Sequence, residues 1–215
     1  YQTLNTPAEQ RQSTLDELTA RFPYVNGGIF AEHLNIPSFS SAMRDELVRA
    51  CAFDWSGISP AVFGSLFQAV KSPEARRELG EHYTSETNIL KTLGPLFLDD
   101  LRERFAEHTH DLAKLKELRQ ELRDLRIMDP ACGCGNFLVV AYRELRKLED
   151  DIIGELFAEG QLLDISTMLQ THIGQFHGIE IDEYPAQIAK VAMWLTDHQC
   201  NLRTAERFGK TRPSI

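Results

Sequence analysis

The sequence lacks the features that mark membrane-spanning, disulfide-stabilised and zinc-binding proteins. No run of about 18 apolar residues occurs in its 215 residues, so no membrane-spanning helix is expected. Only four cysteines are present, and Cys132 and Cys134, which one glycine separates, have no second pair at metal-site spacing. We therefore expect no metal site, and cysteines that remain reduced thiols.

Positive charge is also scarce. The chain has 23 Lys and Arg residues against 32 Asp and Glu residues, which gives a formal net charge of −9. A protein whose whole surface binds phosphate needs an excess of basic residues, so this balance argues against a stand-alone nucleic-acid clamp. Hydrophobic residues make up 42% and charged residues 26% of the chain, which predicts a globular fold with a core.

The first third of the chain shows helical periodicity and no strand pattern. Residues 14–22 predict a short helix that Pro23 ends, and residues 41–53 predict a second helix. Ser59 is positioned to cap a third helix with Pro60 in its first turn. The sequence therefore predicts a small helical module at the N-terminus.

A helical pattern continues over the middle of the chain. Ser85 is positioned to cap a helix that Gly94-Pro95 should kink or restart. Residues 99–126 are typical of an amphipathic helix, because leucines recur on one side at spacings of three and four, at Leu112, Leu115, Leu118, Leu122 and Leu125. Because the stretch is short for a coiled coil, we expect a helix that packs on a sheet.

The pattern then changes to alternating strands and helices. Residues 125–128 form a short apolar run, a Gly-containing turn occupies 131–136, and Phe137 begins an amphipathic helix. Residues 176–181 predict a second buried strand, and Pro185 lies in the first turn of another helix. The inward positions predicted for that last helix include Ile188, Ala189, Ala192 and Leu195. The order strand, turn, helix, strand, helix predicts a parallel α/β sheet.

The turn after the first strand indicates the kind of ligand it binds. It contains Gly133 and Gly135 but not the G-x-G-x-x-G spacing of dinucleotide-binding folds. Asp129 at the strand end would repel a pyrophosphate and suits a cationic or amine-bearing ligand. Glu180 ends the second strand, where a carboxylate accepts hydrogen bonds from ribose hydroxyls. An adenosine that carries a sulfonium and an amino acid fits both carboxylates, whereas NAD fits the first one badly.

Several segments resemble motifs of the DNA amino-methyltransferases that use S-adenosylmethionine (SAM). Residues 129–137, DPACGCGNF, resemble motif I, and residues 178–182, GIEID, resemble motif II. Residues 80–85, GEHYTS, resemble motif X, which precedes motif I in the γ class of N6-adenine enzymes. Residues 22–30 and 55–60 resemble the helical spacer of MmeI-like (type IIG/IIL) restriction–modification enzymes, which join nuclease, methyltransferase and target-recognition regions in one polypeptide.

This resemblance implies a SAM site that draws on three motifs. Its residues would be Tyr83, Thr84, Asp129, Ala131, Gly133, Glu180 and Ile181. The motif I residues would line the methionine end, and the motif X residues would close over it. Glu180 would hold the ribose and Ile181 would flank the adenine. We expect Asp182 to cap the following helix rather than to contact the ligand.

The resemblance also implies a fold and a reaction. The fold would be α/β, with a helical spacer module over 1–78 and the first part of a Rossmann-like class I methyltransferase domain, with an incomplete sheet, over 79–215. The reaction would transfer a methyl group from SAM to N6 of an adenine flipped out of double-stranded DNA, in a restriction–modification system of the bacterial cytoplasm.

One family motif is absent from this sequence. The catalytic tetrapeptide Asn/Asp/Ser-Pro-Pro-Tyr/Phe requires a Pro-Pro pair, and the chain has none. We therefore expect a fragment without catalytic residues that is inactive alone, with its DNA contacts in other regions of the intact protein and no membrane partner. The alternatives are a non-catalytic helical scaffold that keeps a relic of the SAM turn and, less favoured, a nicotinamide-dependent dehydrogenase.

Overall fold

The computed structural model describes residues 3–22, 24, 38–54, 58, 62, 84–157 and 168–209. The chain divides into two compact units, one within 1–55 and the other within 56–214. The first unit contains a 3₁₀ turn and two helices: Ala8–Gln10, α1 (Glu17–Ala20) and α2 (Ser41–Ala52). The helix predicted from Ser59 and Pro60, most of both spacer motifs and the predicted boundary at residue 78 lie outside the described residues.

The second unit is mostly helical and includes a two-stranded sheet. Its elements, in chain order, are α3 (Glu86–Leu93), a π-helical turn (Gly94–Leu98), α4 (Asp99–Glu107), α5 (Leu112–Asp124), β1 (Ile127–Asp129), α6 (Asn136–Leu156), a 3₁₀ turn (Ile173–Gln175), β2 (Phe176–Gly178) and α7 (Glu183–Phe208). Pro95 lies within the π-helical turn, which carries α3 directly into α4. In the described part of the chain, no helix has both the length and the hydropathy of a bilayer-crossing segment.

The amphipathic helix predicted over 99–126 is two helices, because Asp111 starts a new one. Its carboxylate accepts hydrogen bonds from the amides of Ala113 (3.0 Å) and Lys114 (3.1 Å), which are donors without a partner inside the helix. Leu112 is consequently the first residue of α5 and is 51% exposed, so its prediction on the apolar side is wrong.

The two strands pair in parallel, as predicted. Ile127 lies opposite Phe176, and Asp129 lies opposite Gly178. The connection between them contains α6, since parallel strands need a crossover. The second strand ends at Gly178 rather than at residue 181, because the chain beyond it turns to meet the loop that follows β1.

The core of this unit lies between one face of the sheet and the helices. The leucines of α5 belong to one cluster with residues of α6, and Ile127 and Phe176 of the two strands pack against that cluster. The buried members of this cluster are Ile89, Leu93, Leu98, Leu101, Leu115, Leu118, Leu122, Val140, Ala141, Leu145, Leu148 and Ile152. Helix α6 is therefore central, and its first residue lies directly after the loop at the carboxyl end of β1.

A buried polar network, which the sequence pattern did not predict, joins α6 to α7. The Arg146 side chain is fully buried and donates hydrogen bonds to the Tyr142 hydroxyl (2.9 Å), Asp197 (3.2 Å), Asn201 (3.1 Å) and Thr204 (3.3 Å). Tyr142 in turn donates to Asp197. A buried guanidinium without partners would cost several kcal/mol, so these contacts fix how the two helices face each other.

This network corrects the predicted inward face of α7. Ala189 and Ala192 are buried as predicted, but Leu195 is 38% exposed. Thr196 and Asp197 are buried instead. The contact with Arg146 holds Asp197 on the side of α7 that faces α6, and Leu195 lies outside that buried side.

Asp150 gives a test of the packing between α6 and α7. Its carboxylate accepts a hydrogen bond from Thr204 (2.9 Å), and burial raises its pKa above the ordinary value of 3.8, which the Thr204 hydrogen bond and the charge of Arg146 offset only in part. The folded state therefore binds the Asp150 proton more tightly than the unfolded chain does. This contribution to the free energy of unfolding is full below about pH 4 and is lost as the pH rises through the raised pKa.

Asparagine does not ionise, so burying it does not oppose a charge. We therefore expect Asp150→Asn to have a higher free energy of unfolding than wild type at pH 7 and to lose that advantage near pH 4. Urea denaturation at both pH values measures the difference. Asp151→Asn is the control, because Asp151 forms an exposed ion pair with Arg207 that is worth about 1 kcal/mol or less. A destabilised Asp150→Asn at pH 7 would contradict the prediction.

Gly135 gives a test of the loop that begins α6. It has φ +80°, and a Cβ at this position would lie 2.9 Å from the Cβ of Ala189 in α7. Gly135→Ala should lower the free energy of unfolding by about 1–2 kcal/mol for the left-handed backbone and by about 1–3 kcal/mol more for the overlap. Gly209→Ala is the matched control, because Gly209 has φ +84° and, among the described residues, no atom within 4 Å of its Cβ position. If thermal denaturation shows equal losses of stability for Gly135→Ala and Gly209→Ala, the overlap with Ala189 does not contribute.

Candidate functional site

The candidate site lies at the carboxyl ends of the two strands, where ligands bind in open parallel sheets. The Ile179 amide donates to the Asp129 carbonyl (2.9 Å), and the Cys132 amide donates to the Ile179 carbonyl (3.0 Å). The Gly135 amide closes the turn on the Cys132 carbonyl (2.8 Å). The loop after β1 is thereby held by backbone hydrogen bonds against the segment after β2.

Glu180 joins the two strand ends through its side chain. Its carboxylate accepts from the Gly133 amide at 2.8 Å with one oxygen and from the Asp182 amide at 2.9 Å with the other. An ionised carboxylate has about four lone-pair sites, so these two bonds leave about two of them for a ligand. The carboxylate is therefore held in a fixed orientation by charge-assisted hydrogen bonds and keeps the capacity to accept further donors.

Asp129 contributes a second carboxylate to the same loop. It is half-buried, and its side chain accepts from the Ala131 amide at 3.1 Å. The pKa of the Cys132 thiol is raised, mainly by burial and in addition by the negative charges of Asp129 and Glu180. Neither 129–137 nor 178–182 contains a Lys or Arg residue. The loop is therefore electronegative.

Three predicted site residues line open parts of this loop. Ala131 is exposed, and Ile181 is 97% exposed directly beside Glu180. Gly133 has φ +53°, and no atom in the described part of the chain lies within 4 Å of where its Cβ would be. The structure therefore brings Asp129, Ala131, Gly133, Glu180 and Ile181 together at one edge of the sheet.

The motif X residues lie before α3. Tyr83 is outside the described residues, and Thr84 is a half-buried residue just before Ser85. Ser85 occupies the N-cap position of α3, but among the described residues its side chain makes no capping hydrogen bond, which corrects its predicted role. The first residue of α3, Glu86, pairs with Arg143 of α6 at 2.6 Å, and the hydrogen bonds from Arg143 lower the pKa of Glu86.

Asp182 caps α7, as predicted. Its side chain accepts from the Tyr184 amide at 3.1 Å. The sequence did not predict the environment of Asn136, the first residue of α6. Its side-chain oxygen is buried and has no hydrogen-bond partner within the described ranges. In the sequence, only the place of Asn136 directly after the Gly-containing turn could have marked it as a candidate site residue.

Known proteins resemble the chain over most of its length. The sequence profile of the MmeI DNA-methyltransferase domain matches residues 105–215. DNA methyltransferase A of Bacillus subtilis (strain 168) is 42% identical over 183 residues, which cover 84% of this chain and 20% of that protein. A putative type II restriction enzyme and methyltransferase of Methanocaldococcus jannaschii is 25% identical in an alignment of 245 positions that covers 91% of this chain and 20% of that protein.

A solved structure resembles the chain as well. The type IIL restriction–modification enzyme MmeI, solved in complex with DNA, matches with a TM-score of 0.92 and 51% identity, over 100% of this chain and 29% of that one. The chain thus spans about a fifth of the curated relatives' length and less than a third of the solved one. On the profile match, the identities and the shared fold, the chain belongs to the family of MmeI DNA-methyltransferase domains.

Proposed function

We propose that this chain carries the SAM-binding part of an adenine-N6-specific DNA methyltransferase from a restriction–modification system. The observation that carries the proposal is the pair of carboxylates, Asp129 and Glu180, at the ends of two parallel strands without a basic residue in either segment. A pyrophosphate would meet two negative charges at this edge. SAM instead presents a sulfonium, an ammonium and two ribose hydroxyls.

The donor and acceptor chemistry of the loop fits SAM. Glu180 keeps lone pairs that accept from both ribose hydroxyls, and its two backbone hydrogen bonds hold it ready to do so. The methionine end would lie along Asp129, Ala131 and Gly133, where the loop is negative and the space beside Gly133 is open. The buried Asn136 oxygen is a further acceptor, to which no group of the described residues donates a hydrogen bond.

The adenine end fits the apolar residues after β2. Ile181 is almost fully exposed although it is hydrophobic, and the ligand's adenine would cover it. Burial of apolar surface contributes about 25 cal/mol per Å², so this contact adds affinity without a directional bond. Thr84 and Tyr83 of motif X would close over the methionine end.

The fold proposed for the intact enzyme extends beyond this chain. The parallel pair β1–β2 would be the start of the sheet of a Rossmann-like class I methyltransferase domain. That domain would begin near residue 79, with the helical spacer over 1–78 before it. The share of the relatives that this chain covers leaves room for the later strands and for target recognition. The MmeI structure was solved with DNA, and we extend double-stranded DNA as a partner to the intact form of this protein, in the bacterial cytoplasm.

The chain's own residues have binding roles in this proposal. Bound SAM supplies a methyl group on a positively charged sulfur. Glu180 and Asp129 orient that cofactor, and the family's Asn/Asp/Ser-Pro-Pro-Tyr/Phe motif would hold the amino group of the flipped adenine. That motif is absent from these 215 residues, so the proposal assigns them cofactor binding and not the positioning of the base.

The role of Glu180 is tested by Glu180→Gln. Glutamine keeps the shape but replaces one acceptor oxygen with an NH₂ group, which then faces a backbone amide or a ribose hydroxyl. Hydrogen bonds to a charged group are worth about 1.5–3 kcal/mol, so SAM affinity should fall about tenfold to a hundredfold. Calorimetric titration of the purified protein with SAM measures the change.

Asp182→Asn is the matched control for that experiment. Asn also serves as an N-cap, so the start of α7 is kept and SAM affinity should stay within about twofold of wild type. NAD should not bind either variant or the wild type. If Glu180→Gln binds SAM as tightly as wild type does, Glu180 is not part of the site.

The absence of the catalytic motif gives a separate prediction. The 215-residue chain should transfer no methyl group from tritiated SAM to unmethylated DNA of mixed sequence, because it lacks the residues that would hold the adenine. A longer form that includes a downstream Pro-Pro-aromatic motif should incorporate label. Incorporation by the 215-residue chain above a protein-free blank would refute the assignment of catalysis to that motif.

A further inference from the structure

The side chain of Cys132 occupies the space next to Gly178. A Cβ at position 178 would lie 2.6 Å from the Cys132 sulfur, which is closer than packed atoms approach, and 3.0 Å from the Cys132 Cβ, which is a tight contact. The nearest other atom, a methyl carbon of Leu138, would be 3.2 Å away. Gly178 is thus the residue that leaves room for the thiol at the last position of β2.

The position of Cys132 determines the hydrogen bonds that build the site. Its amide donates to Ile179, and the next residue, Gly133, donates to Glu180 at 2.8 Å. A displacement of Cys132 away from β2 therefore lengthens the Gly133–Glu180 hydrogen bond. The steric fit at Gly178 and the polar contact at Glu180 are coupled through one peptide.

The chemistry of the thiol favours packing over reactivity. Burial and the neighbouring carboxylates of Asp129 and Glu180 raise the pKa of Cys132, so the thiol stays protonated and neutral at pH 7. Its sulfur also packs against the buried cluster of α6 and α7 that includes Leu138. Cys132 therefore acts as a small apolar side chain between the sheet and the loop.

We infer that Cys132 and Gly178 are a matched pair of positioning residues, whose steric fit sets the Gly133 amide against Glu180 and thereby orients that carboxylate for the ribose of SAM. This inference rests on the proposed function. Neither residue needs to touch the ligand. Both act through Glu180.

The test is a double-mutant cycle in which SAM affinity is measured by calorimetry. Gly178→Ala forces Cys132 outward and should weaken SAM binding at least about tenfold, as expected for the loss of an oriented charge-assisted contact. Cys132→Ala removes the sulfur and should change affinity by about threefold or less. In the double variant, the Cβ added at position 178 keeps only the contacts with the residue 132 Cβ (3.0 Å) and the Leu138 methyl carbon (3.2 Å). SAM affinity should therefore recover to within about threefold of wild type.

Rescue of Gly178→Ala by the truncation Cys132→Ala is a readout that a general loss of stability would not give. Gly178→Ala at wild-type affinity, or a double variant as weak as Gly178→Ala alone, would overturn the inference. A wild-type chain that does not bind SAM would refute the proposed function and this inference with it. Wild-type binding with an unaffected Gly178→Ala would refute the inference alone.

A second pair of variants covers the case in which Gly178→Ala does not fold. Cys132→Val enlarges the same contact from the other side and should weaken SAM binding about tenfold or more, whereas Cys132→Ser is nearly isosteric and should stay within about threefold of wild type. Equal affinities for these two variants would overturn the inference as well.

Discussion

The hydrogen bond from the Gly133 amide to the Glu180 carboxylate is the contact on which the site depends. Two strands of three residues each provide few backbone hydrogen bonds, and this side-chain contact extends the pairing beyond them. It fixes the loop after β1, it orients the carboxylate after β2, and it concentrates negative charge at one edge of the sheet. The proposed preference for a cationic nucleoside over a dinucleotide rests on that charge.

The packing of α6 against α7 keeps the two ends of the Gly133–Glu180 hydrogen bond in position. Arg146 is fully buried, and its hydrogen bonds to α7 favour one orientation of that helix against α6. Because α6 starts at the loop and α7 starts just after Glu180, that orientation also sets the distance between the two halves of the site. The close approach of Gly135 to Ala189 is the local consequence.

Local signals predicted the features whose causes are local. The parallel strand pair and the Asp182 cap follow from short apolar runs, a Gly-containing turn and cap chemistry, all of which are visible within a few residues. Features with distant causes were missed. Asp197 is buried against Arg146, which is far away in sequence, while Leu195 is exposed. The fit of Cys132 to Gly178 joins the loop after β1 to the last residue of β2. Hydrophobic periodicity contains no information about such partners.

The most direct test of the site is the amide NMR spectrum of the ¹⁵N-labelled chain during titration with SAM. If the Gly133–Glu180 contact forms the binding site, the amide signals of Gly133, Glu180 and Ile181 shift together and saturate at one common dissociation constant, while signals from α4 stay in place. SAM binding that leaves these three signals unchanged, or a complete absence of shifts at millimolar SAM, would contradict the assignment of this edge of the sheet as the cofactor site.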